Sequence, residues 1–340
     1  MKIFFYILIV FIFLYYIFSR SNTLIEPLQF NNESMGKSYL KHKIVHNRKD
    51  RELTRCNSMK NCKTINYRTQ LNHPNSYYIA DDKIATSRIL ELNNIPVPKS
   101  VVIGKKKTSK KHLQFLIKKI KLDYPLVLKP ISGTQGYGVH INITNINELY
   151  PIVKKLIVKN NFLILEEQVY GENYRIMVLD NTIIDVLKRP LPFVIGNGKS
   201  TLKALIRKYN KRQEKVGNYP CHNVNNKYIK KQGYILSDVI PKQKKVHISN
   251  IANYHNGSGL QRIALSKIHP DNIKMFKKTN NLLGLTLSGI DYMSKDIAVS
   301  YKEHGHIIEV NSGPDIQMHI SANKKKTLMI PNKINSVLFN

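Results

Sequence analysis

Hydrophobic positions along the chain fall into three regimes. Residues 3–18, IFFYILIVFIFLYYIF, are 16 uninterrupted apolar or aromatic residues between Lys2 and Arg20. That run lies between the length of a signal-peptide core and the roughly 20 residues of a spanning helix. Residues 20–75 carry 11 Lys/Arg, four Asp/Glu and many Asn and Ser with little periodic apolar signal, which predicts a mostly irregular basic stalk. From about Tyr77 the apolar residues switch between helical and strand periods, so 76–330 is expected to form the folded body.

Within that body, Ile84 to Leu92 reads as a helix closed by Asn93-Asn94 ahead of Pro96. Thr108 or Ser109 caps a second helix with Leu113, Leu116, Ile117 and Ile120 on one face. Leu126-Val127-Leu128 and Phe162 to Glu166 read as short buried strands. Arg175–Leu179 and Thr182–Leu187 flank Asp180-Asn181, a hairpin turn. Leu285–Tyr292 and His306–Val310 look like two further strands joined across Gly305. The sum is a mixed α+β architecture.

Composition narrows the class. In a chain of 340 residues, 42% apolar and 22% charged side chains exclude disorder throughout. Cys56, Cys62 and Cys221 are too few and scattered for a disulfide scaffold or a structural zinc site. The net charge of +32 raises nucleic acid, anionic membrane or an acidic substrate as partners. Lysine is spread along the whole chain beside abundant Asn and Ile, however, so charge alone identifies none of them. No A-x-A site follows residue 18, and eight of the 16 residues in 3–18 are Phe or Tyr. This suits an uncleaved membrane anchor over residues 1–19, with a cleaved signal as the rival. Arg20 and the later basic residues outnumber Lys2 on the other side, so the charge bias places the carboxyl-terminal body in the cytoplasm.

The segment carrying most chemistry is Tyr124-Pro-Leu-Val-Leu-Lys129-Pro-Ile-Ser-Gly133-Thr-Gln-Gly136-Tyr-Gly138-Val139, a strand ending in lysine and running into a glycine-rich loop. Glycines let backbone N–H groups approach phosphate oxygens, and the lysine adds a point charge. The spacing is neither GxGxxG nor a Walker loop. Leu163 to Gly171 is a strand entering an acidic turn, a hinge whose backbone and carboxylates suit an adenine amine. Gly289-Ile290-Asp291 and Ile308-Glu309-Val310-Asn311 put oxygen ligands on neighbouring strands, and Glu309 and Asn311 share a face. Such hard oxygens beside phosphate suit Mg²⁺.

Taken together these segments resemble the ATP-grasp carboxylate–amine ligases, most closely the ATP-grasp part of cyanophycin synthetase, over about residues 77–325. The resemblance rests on DDKIATSRILELNNIPVP, PLVLKPISGTQGYGV, ILEEQVYGENYRIMVL, LKRPLPFVIGNGKSTLKALI, NYHNGSG with KIHPDN, and GIDYM with IIEVNSGPDIQMH, in that order. It implies the ATP-grasp fold, two α+β subdomains clasping ATP, here behind the anchor helix and basic stalk. It also implies that Lys83 and Lys129 touch ATP phosphates under Gly133, Gly136 and Gly138, and that Glu166, Glu167 and Val169 form the adenine hinge. Asp291, Glu309 and Asn311 then match Mg²⁺ ligands, for two ions, with Mn²⁺ as a substitute. Arg189 matches the arginine near the acyl phosphate, and Arg175 matches an arginine with no role derivable from sequence. The reaction implied is ATP-dependent joining of a small carboxylate donor to an amine acceptor (amino acid or peptide) through an acyl phosphate, releasing ADP and phosphate. Homo-oligomers are frequent in the family.

Some positions depart from the pattern. Asn173 stands where an acidic residue for ribose is expected, with Glu172 beside it, leaving two candidates. Asp315 follows Pro314 where glycine is common, which bears on the acceptor pocket. No Mur-ligase-like second half follows, which argues against cyanophycin synthesis itself. Gly198-Lys199-Ser200 imitates a Walker loop, but Phe193 occupies the first glycine position. Two rival readings stand beside the ligase: a non-catalytic ATP-binding module, and a basic nucleic-acid-binding protein, the latter opposed by the lack of aromatic interleaving in the stalk.

Overall fold

The computed structural model of the protein describes residues 44–47, 52–58, 61–106, 108–132, 138–215, 218–322 and 329–338. Residues 3–18, and with them the expected anchor, lie outside these. Among the described residues no helix is long and apolar enough to cross a membrane.

Part of the expected stalk is structured. Strands β1 (Ile44–Asn47), β2 (Glu52–Ser58) and β3 (Asn61–Asn66) form a three-stranded sheet in the order β1-β2-β3. The irregular reading of 20–75 is therefore corrected over these strands, whose few β-branched residues sit among charged and amide side chains and give no clean period. The body also begins before Tyr77. Tyr67 is buried and its hydroxyl donates to the Pro314 carbonyl at 3.3 Å. Buried Asn72 fills its bonding capacity on backbone alone: Nδ2 donates to the Leu287 and Ser312 carbonyls (2.8 and 2.7 Å), and Oδ1 accepts from the Thr286 and Leu287 amides (2.8 and 3.0 Å).

Helix α1 (Pro74–Asp81) meets α2 (Lys83–Leu92) at Asp82, whose carboxylate accepts from the Ile84 and Ala85 amides and so starts α2 at Lys83. Asn93 closes α2, as its sequence predicts. The first subdomain follows: β4 (Ser100–Gly104), α3 (Lys110–Ile120), β5 (Leu126–Pro130), β6 (His140–Ile143), α4 (Ile146–Ile157) and β7 (Phe162–Glu167). Ser109, one of the two expected caps, accepts from the His112 amide at 3.2 Å. The strands form an antiparallel sheet ordered β4-β7-β5-β6. Leu113 of α3 and Leu149, Val153 and Ile157 of α4 bury against Leu126, Leu128, Leu163 and Leu165 of the sheet.

The second subdomain opens with β8 (Glu172–Leu179) and β9 (Thr182–Lys188). Asp180 and Asn181 both take positive φ (45° and 54°), the pair of left-handed residues a two-residue hairpin needs. Next come β10 (Phe193–Ile195), α5 (Leu202–Lys215), α6 (Asn226–Lys231) and β11 (Lys245–His247), a lobe with its own core of Val194, Leu202, Leu205, Ile229, Ile240 and Val246. The chain returns through β12 (Gln261–Arg262), α7 (Pro270–Leu282), β13 (Leu287–Ser294), α8 (Tyr301–His304), β14 (His306–Asn311), α9 (Ile316–Ser321) and α10 (Met329–Leu338). The antiparallel sheet runs β12-β9-β8-β13-β14. Its apolar face, with Ile176, Ile290 and Val310, packs on Leu90 of α2 and on Met275 and Phe276 of α7. The expected link across Gly305 is longer than a turn, since α8 intervenes before β14.

Candidate active site

Strand register assembles the site. Arg175 on β8 lies opposite Asp291 on β13, and Asp291 lies opposite Glu309 on β14. Two residues along, Asp185 on β9 faces Met177, Met177 faces Gly289, and Gly289 faces Asn311. Because side chains two apart share a face, these charged and amide groups all stand on the side of the sheet opposite Ile176, Ile290 and Val310.

Gly289 makes the packing of Arg175 feasible. A Cβ there would lie 2.7 Å from both the Arg175 Cζ and the Pro314 Cβ, so only glycine lets the guanidinium cross the strand. Arg175 Nη1 donates to the Gly289 carbonyl (3.2 Å) and to Asp291 Oδ1 (2.7 Å). Arg189, just past β9, donates from Nη2 to Asp291 Oδ2 (3.0 Å) and from Nε to Asn173 Oδ1 (2.6 Å). Burial alone would push the Asp291 carboxyl up, but the Arg189 and Arg175 guanidiniums outweigh it and hold it below the ordinary range.

A cleft runs between β5 and β7 of the first subdomain and β14 of the second, roofed by α2. Ile164, Val102 and Ile307 supply apolar wall, and Lys83, Lys129, Glu166 and Glu309 supply charge. Lys83 Nζ lies 2.5 Å from Glu309 Oε1, and Lys129 Nζ lies 2.7 Å from Glu166 Oε1. The second pair is diagonal across β5 and β7, within reach of a long side chain. Beneath the arginines, buried Asp185 accepts from Arg262 Nε (2.6 Å) and pairs with His319 Nδ1 on α9 (2.8 Å). Burial holds the His319 imidazole below its ordinary pKa, and Arg175 adds to the effect, against the pull of Asp185. Arg175 Nε and His319 Nε2 are buried with no hydrogen-bond partner among the described residues.

The family of RimK-like ATP-grasp domains matches residues 80–191. The chain has the ATP-grasp fold. The cyanophycin synthetase of Synechocystis sp. is 32% identical over 254 residues, 72% of this chain and 28% of that protein. The glutathione biosynthesis bifunctional protein of Clostridium perfringens is 26% identical over 272 residues, 77% of this chain and 34% of that one. A bifunctional glutathione synthetase from Pasteurella multocida shares the fold, with a TM-score of 0.58 at 19% identity over 87% of this chain and 42% of its own. The chain spans less than a third of the length of the cyanophycin synthetases it matches.

The cleft and the adjoining row across β8, β13 and β14 bring together Lys83, Lys129, Glu166, Arg175, Arg189, Asp291, Glu309 and Asn311, all singled out from sequence. Gly133 and Gly136 lie outside the described residues. Gly138 takes φ +72°, and a Cβ there would sit 2.9 Å from the Pro130 ring, so both its backbone conformation and its approach to the end of β5 call for glycine. Glu167 turns from the cleft: it bonds Lys99 at 3.2 Å and accepts from the Asp123 amide at 3.1 Å. Val169 does not line the cleft either. Of the two ribose candidates, Glu172 pairs with Lys188 at 3.0 Å, and the Asn173 amide is spent orienting Arg189. Among the described residues no three His, Cys, Asp or Glu side chains cluster as a metal site. Asp291, Glu309 and the Asn311 amide instead form a mixed set of hard oxygens, which fits Mg²⁺ beside phosphate. The orphaned Arg175 Nε is a buried donor that an anionic ligand would satisfy. Sequence reading missed Asp185, Arg262 and His319. The only signal for His319 was its place at the end of IIEVNSGPDIQMH.

Proposed function

We propose that this chain is an ATP-dependent carboxylate–amine ligase that forms an amide bond through an acyl phosphate and releases ADP and phosphate. The observation that supports it is the row Arg175, Asp291, Glu309, with Arg189 held on the second oxygen of Asp291, adjoining a cleft that carries Lys83 and Lys129. Phosphoryl transfer needs positioning and charge neutralisation rather than a protein nucleophile. Lys83 and Lys129 neutralise phosphate oxygens, while Ile164 and Val102 supply an apolar wall for a base. Arg189, aimed by Asn173, and Arg175, aimed by the Gly289 carbonyl, are fixed donors for the oxyanion that develops when an amine attacks the acyl carbon. Asp291, Glu309 and Asn311 would hold Mg²⁺, two ions in this reading with Mn²⁺ as a substitute, which supplies charge neutralisation at the transferring phosphate when bound.

In the same reading residues 3–18 anchor the chain and the catalytic body faces the cytoplasm, where ATP is available. Supporting this are the apolar run and the excess of basic residues that follow it. The test is to incubate the full chain with Mg²⁺, ATP and hydroxylamine across a panel of amino acids and acidic peptides, measuring ADP and hydroxamate. Hydroxamate that depends on one carboxylate and disappears in Lys129→Ala is expected. ATP bound without ADP or hydroxamate would mark a non-catalytic binding module instead.

A further inference from the structure

Side chains from residues 67–81 converge on the residues that follow Asn311. Asn72 Nδ2 donates to the Ser312 carbonyl at 2.7 Å, and the Tyr67 hydroxyl donates to the Pro314 carbonyl at 3.3 Å. Ser312 is fully buried; its hydroxyl donates to Asp81 Oδ1 at 3.1 Å and accepts from Arg68 Nε at 3.4 Å. Arg68 Nη2 pairs with the other Asp81 oxygen, and its guanidinium lies over the Tyr77 ring, 5.0 Å from the centre. Asp81 stands two residues before Lys83, whose ammonium bonds Glu309, itself two residues before Asn311. The end of β14 and the start of α2 are thus bridged twice, once by Lys83 with Glu309 and once by Asp81 with Ser312. Arg68 neutralises and braces the second bridge.

We infer that Arg68 is a positioning residue for nucleotide binding: by holding the Ser312 hydroxyl and the Asp81 carboxylate together, it fixes the Asn311 amide and the Lys83 ammonium relative to one another. The inference deepens the ligase reading, on whose metal and phosphate assignments it rests, by adding a residue that lies ahead of the matched segment 80–191. Asn311 Nδ2 donates to the Gly289 carbonyl at 3.4 Å, a bond that uses the donor side of the amide and reserves its oxygen for a cation. A slip of the backbone at Ser312 would carry that oxygen with it. Docking of the segment itself does not need Arg68. Buried Tyr67 and Asn72 already hold it, Asn72 through four bonds to backbone. The Arg68 and Asp81 side chains are 26% and 48% exposed, where an ion pair adds little stability. A half-exposed guanidinium whose bonds lead to the neighbour of a metal ligand is suited to orienting that ligand.

The test titrates the full chain with Mg²⁺ in the presence of N-methylanthraniloyl-ATP and reads nucleotide binding by fluorescence anisotropy, not turnover. Arg68→Met should raise the Mg²⁺ concentration for half-maximal binding about tenfold, the effect of losing an orienting partner, while its urea midpoint stays near wild type. Lys302→Met removes the same charge from the exposed pair with Asp271 and should leave the Mg²⁺ requirement unmoved. Hydrogen exchange read by mass spectrometry should quicken over residues 306–313 of Arg68→Met and stay unchanged around Leu287, which Asn72 holds independently. A Mg²⁺ requirement within about twofold of wild type, an equal shift in Lys302→Met, or faster exchange throughout β13 would overturn the inference. So would a wild-type protein that binds no nucleotide, or binds it without regard to Mg²⁺. Failure of the ligase reading is seen separately, as Mg²⁺-dependent nucleotide binding that yields no hydroxamate.

Discussion

Removing the Asp291 carboxylate is the sharpest structural test of the site. Asp291→Asn keeps the shape but takes the shared anion from two guanidiniums whose side chains are 6% and 9% exposed. Deleting one partner of a buried ion pair costs about 3–5 kcal/mol because the remaining charge stays desolvated. Asp291 is itself 15% exposed and Arg175 keeps its bond to the Gly289 carbonyl, so about 3 kcal/mol is expected. Arg175→Met should cost less, about 2 kcal/mol, since Arg189 still neutralises Asp291. The double variant should fall short of the sum by at least about 1 kcal/mol, because either change already breaks the same pair. Urea unfolding followed by circular dichroism at neutral pH, with midpoint and slope for all four proteins, measures this coupling. Additive losses, or an Asp291→Asn protein within about 0.5 kcal/mol of wild type, would show that the two arginines do not share this carboxylate in the folded protein.

Further expectations follow from other contacts. Asn72→Ala strands four backbone groups, three of them in buried bonds, and should cost about 3 kcal/mol or more in the same unfolding assay, whereas a disordered stalk would lose nothing. Glu309→Gln should raise the Mg²⁺ concentration needed for half-maximal ADP formation about tenfold or more, and an unchanged requirement would remove Glu309 from the metal set. Burial holds His140, His247, His306 and His319 below the ordinary imidazole pKa. Such groups stabilise the fold fully above the unfolded value of about 6.5 and withdraw that stability as pH falls through it. Melting temperature should therefore decline from pH 7 to 5, and His319→Gln should flatten that decline; an equally steep fall in the variant would place the effect elsewhere.

Much of the site was legible because its chemistry sits in contiguous motifs. Lys129 ends an apolar strand, Glu309 and Asn311 are two apart on another, and Arg189 follows β9 directly. Pairings between distant segments were not legible. Nothing near Arg175 in sequence announces Asp291, 116 residues away, and only the antiparallel register of β8 and β13 makes them neighbours. Asp185 reads as an ordinary polar interruption in an apolar strand until α9 brings His319 onto it. Glu172, Asn173 and Glu167 show a different limit: motif position alone did not reveal that their side chains bond Lys188, Arg189 and Lys99. The strands at 44–66 escaped because their side chains lack the alternation that marks a half-buried sheet.

The row across β8, β13 and β14 also decides where this protein can change. Register shifts next to Asp291 and Met177 already bend the ladder beside the site. One residue added or lost in β13 or β8 would swing Asp291 or Arg175 into the face that Ile176 and Ile290 now fill, destroying chemistry and core together. The lobe of α5 and α6 carries no such constraint, since its core closes on itself. Insertions, deletions and charge changes can accumulate there while the catalytic sheet stays fixed, so divergence among chains of this kind should concentrate between Phe193 and Ile248.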